Sequence, residues 1–169
     1  MPALSQMDQI VLHISTCDGT TLAAYAQSGR RYPFPVADLV RQATSDRLQL
    51  AGGHLRSADT QLLHGQYRSS ISRHYYAMYH SARAITYASI VGDDHQQHAK
   101  LPRHLPSALP NRIQMEIDLS DARLLRNSAD YDPYPATDAE WETDARGLSV
   151  TAAIFVQACE NFALQQGFV

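Results

Sequence analysis

The sequence predicts an all-α protein: an up-and-down bundle of four to five helices behind a short irregular N-terminal extension. Three observations carry that expectation. The stretch Arg68 to Ile90, RSSISRHYYAMYHSARAITYASI, has no Gly or Pro and is rich in Ala, so it should form a helix of about six turns. That helix shows two separate buried-looking stripes, Ile71, His74, Met78 and Ile85 on one side and Arg73, Tyr76, Ala77, His80, Ala84 and Tyr87 on another. A helix buried on two sides belongs in the middle of a bundle. Finally, helical spacing of apolar residues recurs on either side of this stretch, between Leu39 and Leu63 and again after Arg112.

Taken in order, Gln9 to Ser15 is β-branched and apolar and is expected to make one short strand. A second short element spans Thr21 to Gln27 and stops at Ser28-Gly29, and Tyr32-Pro33-Phe34-Pro35 then breaks regular structure. Residues 1–36 are therefore set apart from the bundle of residues 37–169. Leu39, Val40, Ala43, Arg47, Leu50, Leu55 and Leu62 mark the first long helix, with Gly52-Gly53 inside it and Gly65 closing it. The central helix ends at Gly92. A long loop dense in Pro and His then reaches Pro110, with one helical turn expected near its end, and a connection of that length inside a compact domain is often functional. The next helix runs from Arg112 to about Ala129 on Ile113, Ile117, Leu119, Leu124 and Leu125, until Tyr131-Asp132-Pro133-Tyr134-Pro135 stops it. Thr137-Asp138-Ala139-Glu140 reads as a capping box that starts the last helix at Asp138, carrying Trp141, Ala145, Leu148, Val150, Ile154, Phe155 and Phe162 to Gly167.

Composition limits the function classes. The chain has 169 residues, 44% hydrophobic and 18% charged, as in a globular domain. No uninterrupted run of about 18 apolar residues is present, and the first ten residues lack the pattern of a signal peptide, so no membrane association is expected. Cys17 and Cys159 are expected to be free thiols in a cytoplasmic protein. A net charge of −3 argues against a whole-protein basic footprint for non-specific DNA binding. Nearly all the basic residues are Arg, with Lys100 the lone Lys. Arg suits planar contacts to phosphate and carboxylate.

Four sets of residues could do chemistry. Arg73 and His80 are seven apart on one helix, about 20° apart in angle, so a phosphate-holding guanidinium and an imidazole that titrates near neutrality could share a cleft. They could equally be structural residues bonded to the next helix. Arg123, Arg126, Asn127, Asp130 and Tyr131 cluster at a helix end, where Arg126 and Asp130 make an ordinary i,i+4 pair and the others could cap it. His95, His98 and His104 lie in the loop, with no carboxylate or Cys at ligand spacing within a predicted helix, so no metal is expected, and no other cofactor is expected either. Tyr75, Tyr76, Tyr79 and Tyr87 could stack bases, or simply pack helices.

Ser72-Arg73-His74-Tyr75-Tyr76-Ala77-Met78-Tyr79-His80-Ser81-Ala82-Arg83-Ala84 resembles the S-R-x-Y-Y-A-x-F-H-A-A-R-A helix of HEPN domains. Leu101-Pro102 with His98 looks like that family's loop, and Leu124-Leu125-Arg126-Asn127-Ser128-Ala129-Asp130-Tyr131 looks like its R-x-x-A-D-Y helix end. The likeness covers residues 37–166 in the right order. It implies a dimerising helical bundle with a cleft where protomers meet, linked to RNA and nucleotide chemistry. In the family's ribonuclease branch an Arg-x(4–6)-His motif cleaves RNA without metal, the His acting on the 2′-hydroxyl while the Arg steadies the phosphate. Arg126-Asn127 match the start of that motif, but Tyr131 or Asp132 stands where its His should be. Arg73 and His80 fit the spacing on the other signature helix. The resemblance therefore implies a homodimer that binds RNA or a nucleotide through Arg73, Tyr76, His80, Arg83, Arg126, Asn127, Asp130 and Tyr131. It would act beside a nucleotidyltransferase-type partner in a toxin–antitoxin or defence pair. The alternative is a metal-independent endoribonuclease using His80 with Arg73 or Arg126.

Overall fold

The computed structural model describes residues 3–27 and 34–169. The expected stop at Ser28-Gly29 and the Tyr32-Pro33 half of the break lie outside them. Among the described residues there are six α-helices and no strand: α1 (Gln6–Ile14), α2 (Gly19–Gln27), α3 (Val36–Leu63), α4 (Tyr67–Ile90), α5 (Arg112–Tyr131) and α6 (Glu142–Gln166). Single 3₁₀ turns occupy Leu101–His104 and Asp138–Trp141.

The strand expected at residues 9–15 is helix α1 instead. Its start explains why. The Ser5 hydroxyl accepts from the Asp8 backbone N–H at 3.1 Å while the Asp8 carboxylate accepts from the Ser5 N–H at 2.9 Å, a reciprocal cap that outweighs a few β-branched residues. Helical spacing then turns Val11 and Ile14 toward the bundle, Ile14 being fully buried.

α4 is the axis of the molecule, packed against α3, α5 and α6. Its first stripe is wholly internal: Ile71, His74, Met78 and Ile85 have no exposed surface. Its second stripe is graded, with Ala77, Ala84 and Tyr87 buried, Tyr76, His80 and Arg83 half-buried and Arg73 exposed. α3 passes Gly52-Gly53 without interruption. The outer helices need only one apolar face, so Leu119 is buried while Ile113, Ile117 and Leu124 of α5 and Val150, Ile154 and Leu164 of α6 are exposed. The segment Asp138–Gln166 is long and apolar enough, at a mean hydropathy of 1.3, to cross a membrane by composition. Its inner face packs on α4, with Ala145, Ala152, Phe155, Cys159 and Phe162 buried. Both cysteines are free and buried.

The capping box expected at Thr137 does not form. The Thr137 side chain makes no cap bond, residues 138–141 wind as a 3₁₀ turn, and the α-helix starts at Glu142. Asp138 is drawn away because its carboxylate caps a different helix, accepting from the backbone N–H groups of Tyr67 (2.8 Å) and Arg68 (3.2 Å). Arg68 returns the favour, donating to the carbonyls of Ala129 (3.0 Å), Asp132 (2.8 Å) and Pro135 (2.6 Å) and lying over Trp141. The α5–α6 connection is thereby fastened to the start of α4.

The other end of α4 holds the N-terminal helices. Ile14, Cys17 and Leu22 pack with Val36, Val40, Ala43 and Tyr87, and the Tyr87 hydroxyl donates to the Ile14 carbonyl at 3.0 Å. Gly92 approaches the chain so closely that a Cβ there would lie 2.3 Å from the Gly19 nitrogen, which only glycine avoids. This approach seats Asp93, whose N–H donates to the Cys17 carbonyl at 2.9 Å, in the interior.

Candidate functional site

The polar stripe of α4 meets residues from three other segments. Tyr76 is its hub. Its ring stacks on His54 of α3 (centroids 5.7 Å apart) and meets the edge of His98 (6.2 Å), while its hydroxyl accepts from Arg126 of α5 at 2.9 Å. His80, one turn on, lies parallel to His54 with centroids 5.2 Å apart and 3° between planes. Arg73 brings a guanidinium nitrogen to 3.4 Å from His54 Nδ1. At the far end Arg83 makes a two-pronged pair with Asp93, from Nε to Oδ1 at 2.8 Å and from Nη2 to Oδ2, and lies over Tyr79.

Arg126, Asn127, Asp130 and Tyr131 form one cluster at the end of α5. Arg126 Nε pairs with Asp130 at 2.6 Å, Asn127 Oδ1 accepts from Arg126 at 3.3 Å, and the Tyr131 ring lies 5.3 Å from the guanidinium. Ser72 of α4 donates to Asp130 at 3.4 Å. The Arg126–Tyr76 bond joins this α5 cluster to the polar stripe of α4. The loop histidines do not converge. His98 bonds the Tyr75 hydroxyl at 2.5 Å and stacks on Tyr79 at 4.0 Å, whereas His95 and His104 stack on each other at 3.6 Å. Among the described residues no three His, Cys, Asp or Glu side chains form a group able to hold a metal ion.

Electrostatics limit what this surface can do. Burial, then the neighbouring His54, Arg83, Arg47 and His98, push the His80 pKa down to about 4. Among the described residues His80 Nδ1 is buried with no hydrogen-bond partner. A general base works best with a pKa near the working pH, so an imidazole surrounded by cationic groups is poorly tuned for proton abstraction at neutrality. Burial also lowers His54 and His98. At neutral pH the stripe presents uncharged imidazoles and a tyrosine between the cations of Arg73, Arg83 and Arg126.

His74, six residues before His80, is different. Its Nε2 lies 3.1 Å from Asp59 and its Nδ1 3.2 Å from the Ser70 hydroxyl, which donates to the Ala58 carbonyl at 2.9 Å. The residue types are those of a nucleophilic triad, but Ser70 and His74 have no exposed surface. A serine that no substrate can reach is no nucleophile; the three residues brace α3 against α4.

Sequence reasoning missed His54, Arg47 and Asp93. His54 falls seven residues after Arg47 and four after Leu50, on one face of α3, and a His on that face was the available signal. Nothing in the spacing marks Asp93, because Gly92 and the N-terminal helices place it.

No curated protein and no solved structure matches the chain. A family model, the HEPN domain, matches residues 44–162, more than half of the chain. The match starts inside α3, ends inside α6 and takes in the whole of α4 with its polar stripe, while α1 and α2 precede it. The chain belongs to the HEPN domain family.

Proposed function

We propose that this HEPN-domain protein binds RNA or a nucleotide along the α4 stripe, and that any chemistry on the bound molecule belongs to a partner protein. The observation that carries this reading is the alternation of ring faces with guanidinium groups: His54, Tyr76, His80 and His98 between Arg73, Arg83 and Arg126. Ring faces stack on bases of any identity, and guanidinium groups hold phosphates. Two of these three cations are already paired, Arg126 with Asp130 and Arg83 with Asp93, which favours a ligand held by stacking with a few phosphate contacts over one held by charge alone. In this reading the protein is a cytoplasmic homodimer. The exposed apolar residues of α5, Ile113, Ile117 and Leu124, offer a second copy a face, and a nucleotidyltransferase-type protein of a toxin–antitoxin or defence pair is the partner.

The rival reading is a metal-independent endoribonuclease with His80 as the base and Arg73 or Arg126 on the phosphate. The unpartnered Nδ1 of His80 favours it. The depressed pKa of His80, and Tyr131 or Asp132 where the family's ribonuclease branch has His, weigh against it.

Incubation of the purified protein with total RNA and EDTA separates the two. Binding predicts a gel shift of intact RNA, weakened roughly tenfold in Tyr76→Ala and in Arg126→Ala, the usual loss for removing one stacking platform or charged contact. Cleavage by wild type that His80→Ala abolishes would establish the rival. Neither shift nor cleavage would remove RNA from both.

A further inference from the structure

α1 lies outside the family-matched span, and between it and the first half of α3 runs an open groove of about 840 Å³. That is the size of small-molecule sites. Met7, Val11 and Leu12 of α1 face Leu39, Ala43 and Leu50 of α3 across it. Leu12 and Leu50 remain 54% and 48% exposed, so the helix pair leaves apolar wall uncovered.

The groove's lining also carries positive charge. Arg47, His80 and Arg83 belong to it. Both guanidiniums share the single buried carboxylate of Asp93, so among the described residues one positive charge lacks a counter-charge; Arg47 also donates to the neutral Ser15 carbonyl and lies over the Tyr87 ring, in a place where burial opposes its charge. The buried Nδ1 of His80 is likewise unpartnered. The other carboxylates along the groove are exposed and engaged elsewhere: Asp8 with Ser5, Asp38 with Arg41 and Asp46 with Gln42. They disfavour an anion along the walls and leave the Arg47–His80–Arg83 group as the place for one.

We propose that this groove binds a small amphipathic monoanion, a carboxylate on an apolar body, with its head against Arg47, His80 and Arg83 and its body between α1 and α3. The carboxylate supplies the missing charge and accepts a hydrogen bond from His80 in its Nδ1–H tautomer. A single negative charge balances the site, whereas a phosphate dianion would overshoot it. RNA binding on the stripe does not require this ligand. Because His80 and Arg83 border both sites, occupancy of one is linked to affinity at the other.

Calorimetric titration of the full chain with octanoate and with octanol tests the proposal, since the two share an apolar body and differ in the charged head. Octanoate should bind saturably and at least about tenfold more tightly than octanol. Leu50→Asp, an exposed wall position, should weaken octanoate by about tenfold or more, with the circular dichroism spectrum unchanged. Equal affinity for the two ligands, no saturable binding of either, or wild-type octanoate affinity in Leu50→Asp would overturn the proposal. The RNA gel shift of the wild-type chain is read separately, so failure of the stripe as an RNA site is distinguishable from failure of the groove.

Discussion

His74 and His80 sit six residues apart on one helix, and they have opposite surroundings. His74 is sealed, with both ring nitrogens bonded, one to Ser70 and one to Asp59. His80 is half-buried, packed by ring faces, and keeps a buried nitrogen without a partner. Burial lowers both pKa values. A shifted pKa alone therefore does not mark a functional group. What differs is whether the hydrogen-bonding capacity is used up by the fold or left for something else.

The most damaging change should be His74→Ala. It leaves a cavity and strips Ser70 and Asp59 of a partner, at a cost of about 3 kcal/mol. Thermal melting should show it as a fall of roughly 10 °C, with RNA binding per folded molecule unchanged. A melt within a degree or two of wild type would show that the brace carries little.

Acid should act next, and on both histidines. An unfolded His80 titrates near 6.5 and the folded one at about 4. As pH falls the unfolded chain takes up the proton first, so this contribution to stability is fully present above about pH 6.5 and is lost on the way to pH 4. His54, His74 and His98 are shifted in the same direction. His80→Phe keeps a ring in the stack and removes one titrating group, so melting temperature should fall less steeply with pH than in wild type. An identical pH profile would mean that His80 is not buried in solution as it is here.

A smaller effect separates two neighbours at the start of α4. Asp138→Ala removes the carboxylate that caps Tyr67 and Arg68 and should cost about 1 kcal/mol. Thr137→Ala removes a side chain with no cap bond and should stay within about 0.5 kcal/mol of wild type. Urea titration of both variants measures the difference, and the reverse order would restore the capping box read from the sequence.

The limits of the sequence follow the same logic. The helices were legible because period and helix breakers are local: the Gly- and Pro-free run of α4, the Pro before α3 and the Tyr131-to-Pro135 stop each act on their own segment. At residues 9–15 β-branching favours a strand, but the Ser5–Asp8 cap just upstream starts a helix and decides the segment. The role of Asp138 is not legible locally, because its partners lie about seventy residues away in the chain. Of the candidate site, the α4 and α5 residues were visible as patterns on two helices. The contribution of α3 was not, since one His in a long amphipathic helix acquires meaning only when its ring is found parallel to His80.

The most direct test follows the histidine ring signals of the full chain by NMR during titration with a single-stranded RNA oligonucleotide. If the stripe is the binding surface, the signals of His54, His80 and His98 move together and saturate while His74 stays fixed. Movement of His74 with His80 unchanged, or no movement at all with RNA in excess, would contradict that account.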